Sequence, residues 1–117
     1  MANLHEIVQW CNQTLKTNEF KDYAPNGLQI EGRTEVNKIL CAVTASEDAI
    51  DAAIEQNADV LLVHHGYFWK GEPYPITGMR GNRIKKLIQN DISLVAYHLP
   101  LDSHPTLGNN AAIADLI

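Results

Sequence analysis

The sequence predicts an α/β fold with a mostly parallel sheet and flanking helices, because strand and helix patterns alternate along the chain. Three apolar runs of strand length, 38–44, 59–63 and 92–97, are separated by two amphipathic helical segments, 46–57 and 81–90. Strand–helix–strand order is typical of βαβ units, in which parallel strands are joined by right-handed crossovers. The unbroken apolar runs indicate strands that are buried on both faces.

The remaining segments each have a local pattern. Apolar residues at three-four spacing predict a first helix over 3–16. A Pro-Asn-Gly turn precedes a short strand at 28–30, and the irregular composition of 66–79 predicts a loop. A last helix starts at Asn109 or Asn110 and is still apolar where the sequence stops, whereas native termini are usually polar. We therefore expect residues 1–117 to be one α/β domain of a longer chain.

Composition and charge restrict the class of protein. The chain has 117 residues with 45% hydrophobic and 20% charged side chains, as in ordinary globular domains. Its net charge of −5 argues against nucleic acid as a partner. No apolar run approaches the roughly 20 residues of a membrane span, and no signal-peptide pattern opens the chain. We expect a cytoplasmic protein in which Cys11 and Cys41 are buried and form no disulfide.

Histidines follow two of the predicted strands at the point where each strand ends. His64 and His65 come directly after the second apolar run, and His98 and Asp102 follow the third. Ligands of parallel α/β sheets bind beyond the carboxyl ends of the strands. If these strands are neighbours, the four side chains converge at one edge of the sheet. Imidazole and carboxylate ligands suit Zn, Fe, Mn or Ni better than Mg or Ca, so the sequence predicts a metal site.

The adjacency of His64 and His65 bears on the number of metal ions. Neighbouring side chains of an extended strand point to opposite sides, so chelation of one ion by both needs a backbone bend, which Gly66 permits. Two ions a few ångströms apart use the pair more readily, and Asp102 can bridge them through its two oxygens. This favours a dinuclear site in which metal-activated water is the nucleophile. The alternative is that each histidine only makes hydrogen bonds at a strand end.

Other polar and aromatic residues near this edge of the sheet could have either a functional or a purely structural role. His104 is interpreted as a solvated loop residue, although it is a weak candidate for a general base. Arg80 and Arg83, near the start of a predicted helix, could bind phosphate or belong to a solvated helical face. The aromatic run 67–69 after the histidine pair could stack on a nucleobase, but anchoring of the loop to the sheet is favoured.

Four motifs in order along the chain carry a family resemblance. They are DYAPNGLQ at 22–29, VHHGYFWKG at 63–71, YHLPLD at 97–102 and LGNN at 107–110. Together they resemble the Nif-three-like family, whose members are often described as GTP cyclohydrolase 1 type 2 or its homologues. The HHGYFWKG stretch is especially similar to the enterobacterial-type members, and the resemblance extends over essentially all 117 residues.

The resemblance implies the N-terminal half of a duplicated α/β architecture, because the family's chains are about twice as long. It implies that His64, His65, His98 and Asp102 bind two divalent metal ions, with Asp102 bridging them. Two further ligands, from an HxxxE motif, belong to the second half in the family. The four ligands here therefore need water, substrate or another chain to complete two metal shells. The family's ring-shaped hexamers imply a homo-oligomer.

Residues and resemblance together favour a metal-dependent hydrolase that acts on a nucleotide or a related heterocycle. In the cyclohydrolase version, activated water attacks C8 of the guanine ring of GTP, and the opened ring loses formate. The alternative is a non-catalytic metal-binding oligomeric scaffold or regulator, which the lack of an evident general base beyond the ligands favours. The catalytic residues are not identified by the sequence.

Overall fold

The computed structural model describes residues 2–116, in which a four-stranded sheet lies between helices and a two-stranded ribbon adjoins it. The elements along the chain are β1 (Ala2–Asn3), α1 (Leu4–Leu15), a 3-10 turn (Thr17–Glu19), β2 (Gly27–Ile30), β3 (Glu35–Val36), β4 (Ile39–Thr44), α2 (Glu47–Glu55), β5 (Val60–His65), α3 (Gly78–Gln89), β6 (Ser93–Ala96), α4 (Leu99–Ser103) and α5 (Asn109–Leu116).

The main sheet has the strand order β2-β6-β5-β4. β5 lies between β4 and β6 and pairs with both in parallel, through crossovers that contain α2 and α3. β2 pairs with β6 antiparallel at one edge of the sheet. The mostly parallel α/β fold is thus confirmed, with one antiparallel edge strand. In the part of the chain that the structure describes, no helix has the length and apolar character to cross a membrane.

Successive side chains of β5 and β6 alternate between two hydrophobic cores. The core beneath α2 and α3 contains Ile50, Leu61, Ile84, Leu87 and Leu94. The core beneath α1 contains Leu4, Val8, Val60, Val95 and Tyr97. Each large aliphatic side chain that is buried in this way contributes roughly 1.5–3 kcal/mol to folding. These two cores fix β5 and β6 as the central strands.

β4 corrects the prediction that all three apolar runs are buried on both faces. Leu40 and Ala42 pack against the core beneath α2 and α3, but Ile39, Cys41 and Val43 are exposed. The reason is tertiary: β4 is an edge strand, and α1 packs over β2, β5 and β6 instead. The prediction that Cys41 is buried is therefore wrong. Cys11 is half-buried, and both thiols are free.

Some elements differ from the sequence prediction. His64 and His65 are the last two residues of β5 and do not follow the strand. The short helix α4 between His98 and His104, and the antiparallel ribbon of β1 and β3, were not predicted. Neither has a periodic apolar pattern, because a two-residue strand or a five-residue helix is too short to display one. α4 begins with Pro100 in its first turn, where a missing N–H has no cost.

Asp59 fastens the start of β5 to the segment before β4. One carboxylate oxygen accepts hydrogen bonds from the backbone N–H groups of Asn37 (2.8 Å) and Lys38 (3.1 Å), and the other pairs with Arg33 at 3.0 Å. Burial raises the pKa of Asp59, but these hydrogen bonds and the charge of Arg33 outweigh burial and hold the pKa below its ordinary value. The folded state therefore favours the charged carboxylate.

We predict that Asp59→Asn lowers the free energy of unfolding by about 1–2 kcal/mol at pH 7, because it removes a charged acceptor from two part-buried hydrogen bonds and from the ion pair with Arg33. Since the folded-state pKa lies below the unfolded one, the contribution is present above about pH 4 and is lost as the pH falls through the folded-state pKa. Urea unfolding of the wild type and of Asp59→Asn at a series of pH values measures the difference in their free energies of unfolding. This difference should become smaller in acid. Asp91→Asn, at an exposed left-handed position, is the control. An equal effect of the two substitutions would contradict the role of Asp59.

Candidate metal centre

Three histidine rings meet at the carboxyl end of the sheet. One ring nitrogen from each of His64, His65 and His98 lies within 4.8 Å of the other two. The ring centroids are 4.4 Å apart for His64 and His65, 5.1 Å for His64 and His98, and 5.6 Å for His65 and His98. The two strand ends are neighbours, as the sequence argument required, because β5 and β6 pair in parallel up to Val63 and Ala96.

The adjacent histidines converge although neighbouring side chains of a strand usually diverge. β5 ends at His65, and the chain bends at Tyr67, one residue after Gly66. A Cβ atom on Gly66 would clash with the side-chain oxygen of Gln29 and with Ala96, so only glycine fits here. The Gln29 amide accepts from the N–H of Tyr67 (2.8 Å) and donates to its carbonyl (3.1 Å). Gln29 thus holds the chain at the point where it leaves the histidine pair.

Each histidine has a partner for its Nδ1 atom. His64 Nδ1 lies 2.8 Å from the carbonyl oxygen of Tyr97, and His98 Nδ1 lies 2.8 Å from a carboxylate oxygen of Asp22. His65 Nδ1 lies 3.4 Å from the hydroxyl of Thr44. A carbonyl oxygen and an ionised carboxylate can only accept hydrogen bonds, so this network assigns the N–H of His64 and of His98 to Nδ1. The Nε2 lone pairs are then left for a metal ion.

Asp22 is a buried carboxylate that holds the backbone and ring of His98, and sequence reasoning did not assign it a role. Its side chain is 2% exposed. Besides the ring, it accepts from the N–H of Leu99 (2.9 Å), the N–H of Tyr23 and the amide of Asn26 (3.0 Å). Asn26 in turn accepts from the backbone N–H of His98 at 2.7 Å. The contact joins residues 76 positions apart, so no local spacing could reveal it.

The ionisation of Asp22 follows from these contacts. Burial raises its pKa, but the hydrogen bonds from His98, Leu99, Asn26 and Tyr23 outweigh burial and lower the pKa to about 2. The carboxylate is therefore charged at neutral pH. A charged acceptor on the outer nitrogen of a histidine fixes the tautomer and makes the inner nitrogen a stronger donor to a metal.

Asp102 lies at the rim of the histidine group and is not one of its three members. Its Oδ1 atom is 3.5 Å from Nε2 of His64 and accepts a hydrogen bond from the side chain of Asn109 at 3.0 Å. Its position in α4 brings it close to the end of β5. His104 makes local hydrogen bonds in its own loop, because its Nδ1 accepts from the backbone N–H groups of Thr106 and Leu107.

The aromatic run after the histidines packs against the sheet and the site. Tyr67 is buried and donates its hydroxyl proton to the carbonyl of Ala45. The Trp69 ring meets His98 edge-on at 4.9 Å and lies 6.0 Å from His65. These contacts agree with an anchoring role for the run, and Trp69 also shields one side of the histidine group from water.

Arg80 braces the loop that follows. Its guanidinium lies 5.7 Å from the centroid of the Phe68 ring, pairs with Glu72 at 3.0 Å and donates to the carbonyl of Pro73 at 2.7 Å. These contacts engage Nε and Nη2 of Arg80 within the loop, which favours a structural role for Arg80 over phosphate binding, one of its two sequence interpretations.

The surroundings of His65 favour its neutral imidazole, the form that a metal ligand requires. Burial lowers the pKa of His65, and the nearby His64 and His98 lower it further, against an opposing effect of Asp102. Neutral imidazoles with an adjacent carboxylate form a donor set that suits Zn, Fe, Mn or Ni. The residues present therefore fit a divalent transition metal ion.

Comparisons with known proteins agree in one family. The family model described as Duf34/NIF3 (NGG1p interacting factor 3) matches residues 2–117. A Vibrio cholerae protein named GTP cyclohydrolase 1 type 2 homolog is 64% identical over 114 residues, which are 97% of this chain and 45% of that protein.

Solved structures show the same similarity. A structural-genomics structure of protein ybgI, described as of unknown function, superposes with a TM-score of 0.95 at 53% identity and covers 97% of this chain and 46% of that one. TTHA1606 from Thermus thermophilus has a TM-score of 0.91 at 42% identity, with 97% and 47% covered. The chain spans about half the length of the relatives it matches, and it belongs to the DUF34/NIF3 family.

Proposed function

We propose that this chain supplies half of the divalent metal centre of a metal-dependent hydrolase that acts on a nucleotide or a related heterocycle. The observation that carries the proposal is the convergence of one ring nitrogen from each of His64, His65 and His98 within 4.8 Å. In the proposed centre these nitrogens bind the metal, and Asp102, 3.5 Å from His64, is the fourth ligand. A bound divalent ion lowers the pKa of water to about 7 and polarises a carbonyl-like bond.

A dinuclear centre bridged by Asp102 is part of the proposal. Three imidazoles and a single carboxylate are few ligands for two ions, so further ligands would come from outside the described residues. The printed name of the relatives, GTP cyclohydrolase 1 type 2 homolog, supports GTP as the first substrate to test. A cytoplasmic location is also proposed, and the free thiols of Cys11 and Cys41 suit a reducing compartment.

A second candidate function is a non-catalytic metal-binding scaffold or regulator that acts as a homo-oligomer. The observation that favours it is that, among the described residues, no carboxylate or histidine other than the proposed metal ligands is available beside the histidine group as a general base. Asp22 is buried and fully engaged in hydrogen bonds, and His104 accepts two backbone hydrogen bonds. A general base must reach the proton that it removes. Turnover therefore separates the two candidates.

We predict that His65→Ala weakens the affinity of the chain for Zn²⁺ or Mn²⁺ by at least about 100-fold, because it removes one of three convergent donors. Isothermal titration with each metal at pH 7.5 measures the affinity. His5→Ala is the matched control, since His5 is exposed and pairs with Glu31 away from the site. Affinity should fall in acid, because imidazole binds metal only when neutral, and the lowered pKa of His65 moves its loss to a pH below the ordinary histidine range. Equal affinities for the two variants would remove the metal proposal.

We predict that Asp22→Asn weakens metal affinity about 10–100-fold while the protein stays folded, because an amide is a poorer acceptor for the outer nitrogen of His98. Circular dichroism verifies the fold, and the same titration measures the metal. Asp48→Asn, at an exposed carboxylate on α2, is the control. Unchanged affinity in a folded Asp22→Asn variant would show that Asp22 does not support the metal ligand.

We predict that GTP releases formate when it is incubated with the metal-loaded chain or with its Escherichia coli relative, which is 54% identical to it and named GTP cyclohydrolase 1 type 2 homolog. Formate is quantified enzymatically, and His65→Ala serves as the inactive control. Absence of release from GTP and from a panel of nucleotides, with metal bound, would remove the hydrolase proposal and support the scaffold.

A further inference from the structure

Arg83 on α3 is a half-buried arginine without a carboxylate partner among the residues that the structure describes. Of the three arginines in the sequence, Arg33 pairs with Asp59 and Arg80 pairs with Glu72, each at 3.0 Å, but Arg83 forms no ion pair. A positive charge that is partly removed from water costs free energy unless an opposite charge compensates for it. An anion at Arg83 would supply that compensation.

The guanidinium of Arg83 also has hydrogen-bond donors that the described residues do not satisfy. Its Nε atom is buried and has no hydrogen-bond partner, and its Nη2 atom donates to the sulfur of Met79 at 3.4 Å. Thioether sulfur is a weak acceptor, so this contact does not replace a hydrogen bond to oxygen. Unpaired buried donors are unfavourable, and an anionic oxygen is the acceptor that best satisfies a guanidinium.

Arg83 is linked to the candidate metal centre through Tyr67. The guanidinium lies beside the Tyr67 hydroxyl, where its charge and a hydrogen bond oppose the rise in the pKa of Tyr67 that burial causes. The hydroxyl donates to the carbonyl of Ala45, and the N–H of Ala45 donates to the carbonyl of His65 at 2.9 Å. Arg83 therefore lies at the same edge of the sheet as the histidine group.

The charges around Arg83 favour an anion with several oxygens. Arg83, Arg80 and Glu72 are two cations and one anion, with a formal sum of +1 in a chain whose net charge is −5. Glu72 is already paired with Arg80, whose guanidinium lies 5.7 Å from the centroid of the Phe68 ring. Arg83 is thus the arginine of the two that is available to a ligand. The planar fork of a guanidinium matches two oxygens of a phosphate group.

We propose that Arg83 binds a phosphate group at the edge of the candidate metal centre. The phosphate supplies the negative charge that Arg83 lacks and accepts from its unsatisfied donors. Its source is either a free phosphate ion or a nucleotide. The nucleotide source rests on the proposed function, because a nucleotide carries a heterocycle at one end, for the metal centre, and phosphate at the other. The binding of a free phosphate ion does not depend on that function.

Isothermal titration of the metal-free chain with inorganic phosphate, guanosine and GTP tests the proposal. EDTA excludes binding of the phosphates through a metal ion. We expect phosphate to bind the wild type, and GTP to bind at least about 10-fold more tightly than guanosine, because an arginine–phosphate pair is a charge-assisted contact. Arg83→Gln should abolish phosphate binding and remove the advantage of GTP. Lys85→Gln removes the same charge from an exposed position on the same helix and should behave as the wild type.

Thermal unfolding distinguishes a binding role of Arg83 from a structural one. Without phosphate, Arg83→Gln should unfold at the wild-type temperature or above it, because the substitution removes an unpaired, half-buried charge. Phosphate should raise the unfolding temperature of the wild type and of Lys85→Gln, but not that of Arg83→Gln. If Arg83→Gln fails to fold or unfolds at a lower temperature without phosphate, Arg83 is a structural residue and the proposal is overturned.

Two further results would overturn the proposal. One is that phosphate does not bind the wild type, and the other is that Arg83→Gln and Lys85→Gln weaken phosphate binding equally. Phosphate binding that depends on Arg83, without a preference for GTP over guanosine, would support the phosphate site and count against the nucleotide substrate of the proposed function. The metal titration of His65→Ala is made without phosphate, so the metal proposal is tested separately.

Discussion

The parallel pairing of β5 with β6 is the constraint on which the site depends. Val60 to Val63 run in register with Ser93 to Ala96, so both strands end at the same edge of the sheet. His64 and His65 complete one strand, and His98 follows the other after Tyr97. Without that register, the histidines would lie at separate points of the surface. The two cores that sandwich these strands therefore stabilise the site as well as the fold.

Hydrogen bonds to the Nδ1 atoms of the three histidines determine the orientation of their rings. The backbone carbonyl of Tyr97, just after β6, accepts from the ring of His64. The buried carboxylate of Asp22, before β2, accepts from the ring of His98. His65 has only a long contact with a threonine hydroxyl. The hydrogen bonds therefore restrain the rings of His64 and His98 more strongly than the ring of His65, which is the one most able to reorient towards a bound ion. Trp69 limits the approach of water from one side.

The two faces of the sheet are covered unequally by helices. α2 and α3 cover one face of β4, β5 and β6, whereas α1 leaves the other face of β4 open. An edge strand with an exposed apolar face is costly in water unless something covers it. His64 lies at the border of that open face, so the face and the histidine group adjoin each other.

The sequence by itself determined the alternation of strands and helices, because hydrophobic periodicity is a local property that each segment carries alone. It also located His64 and His65 at the end of one strand and His98 and Asp102 in the segment after the next, since residue order fixes which side chains follow an apolar run. Only the tertiary structure decided that His64 and His65 converge, that Asp22 holds His98, and that Cys41 and Val43 are exposed. Those outcomes depend on which strands become neighbours and which helix covers them, and pairing between distant segments leaves no periodic trace in the chain.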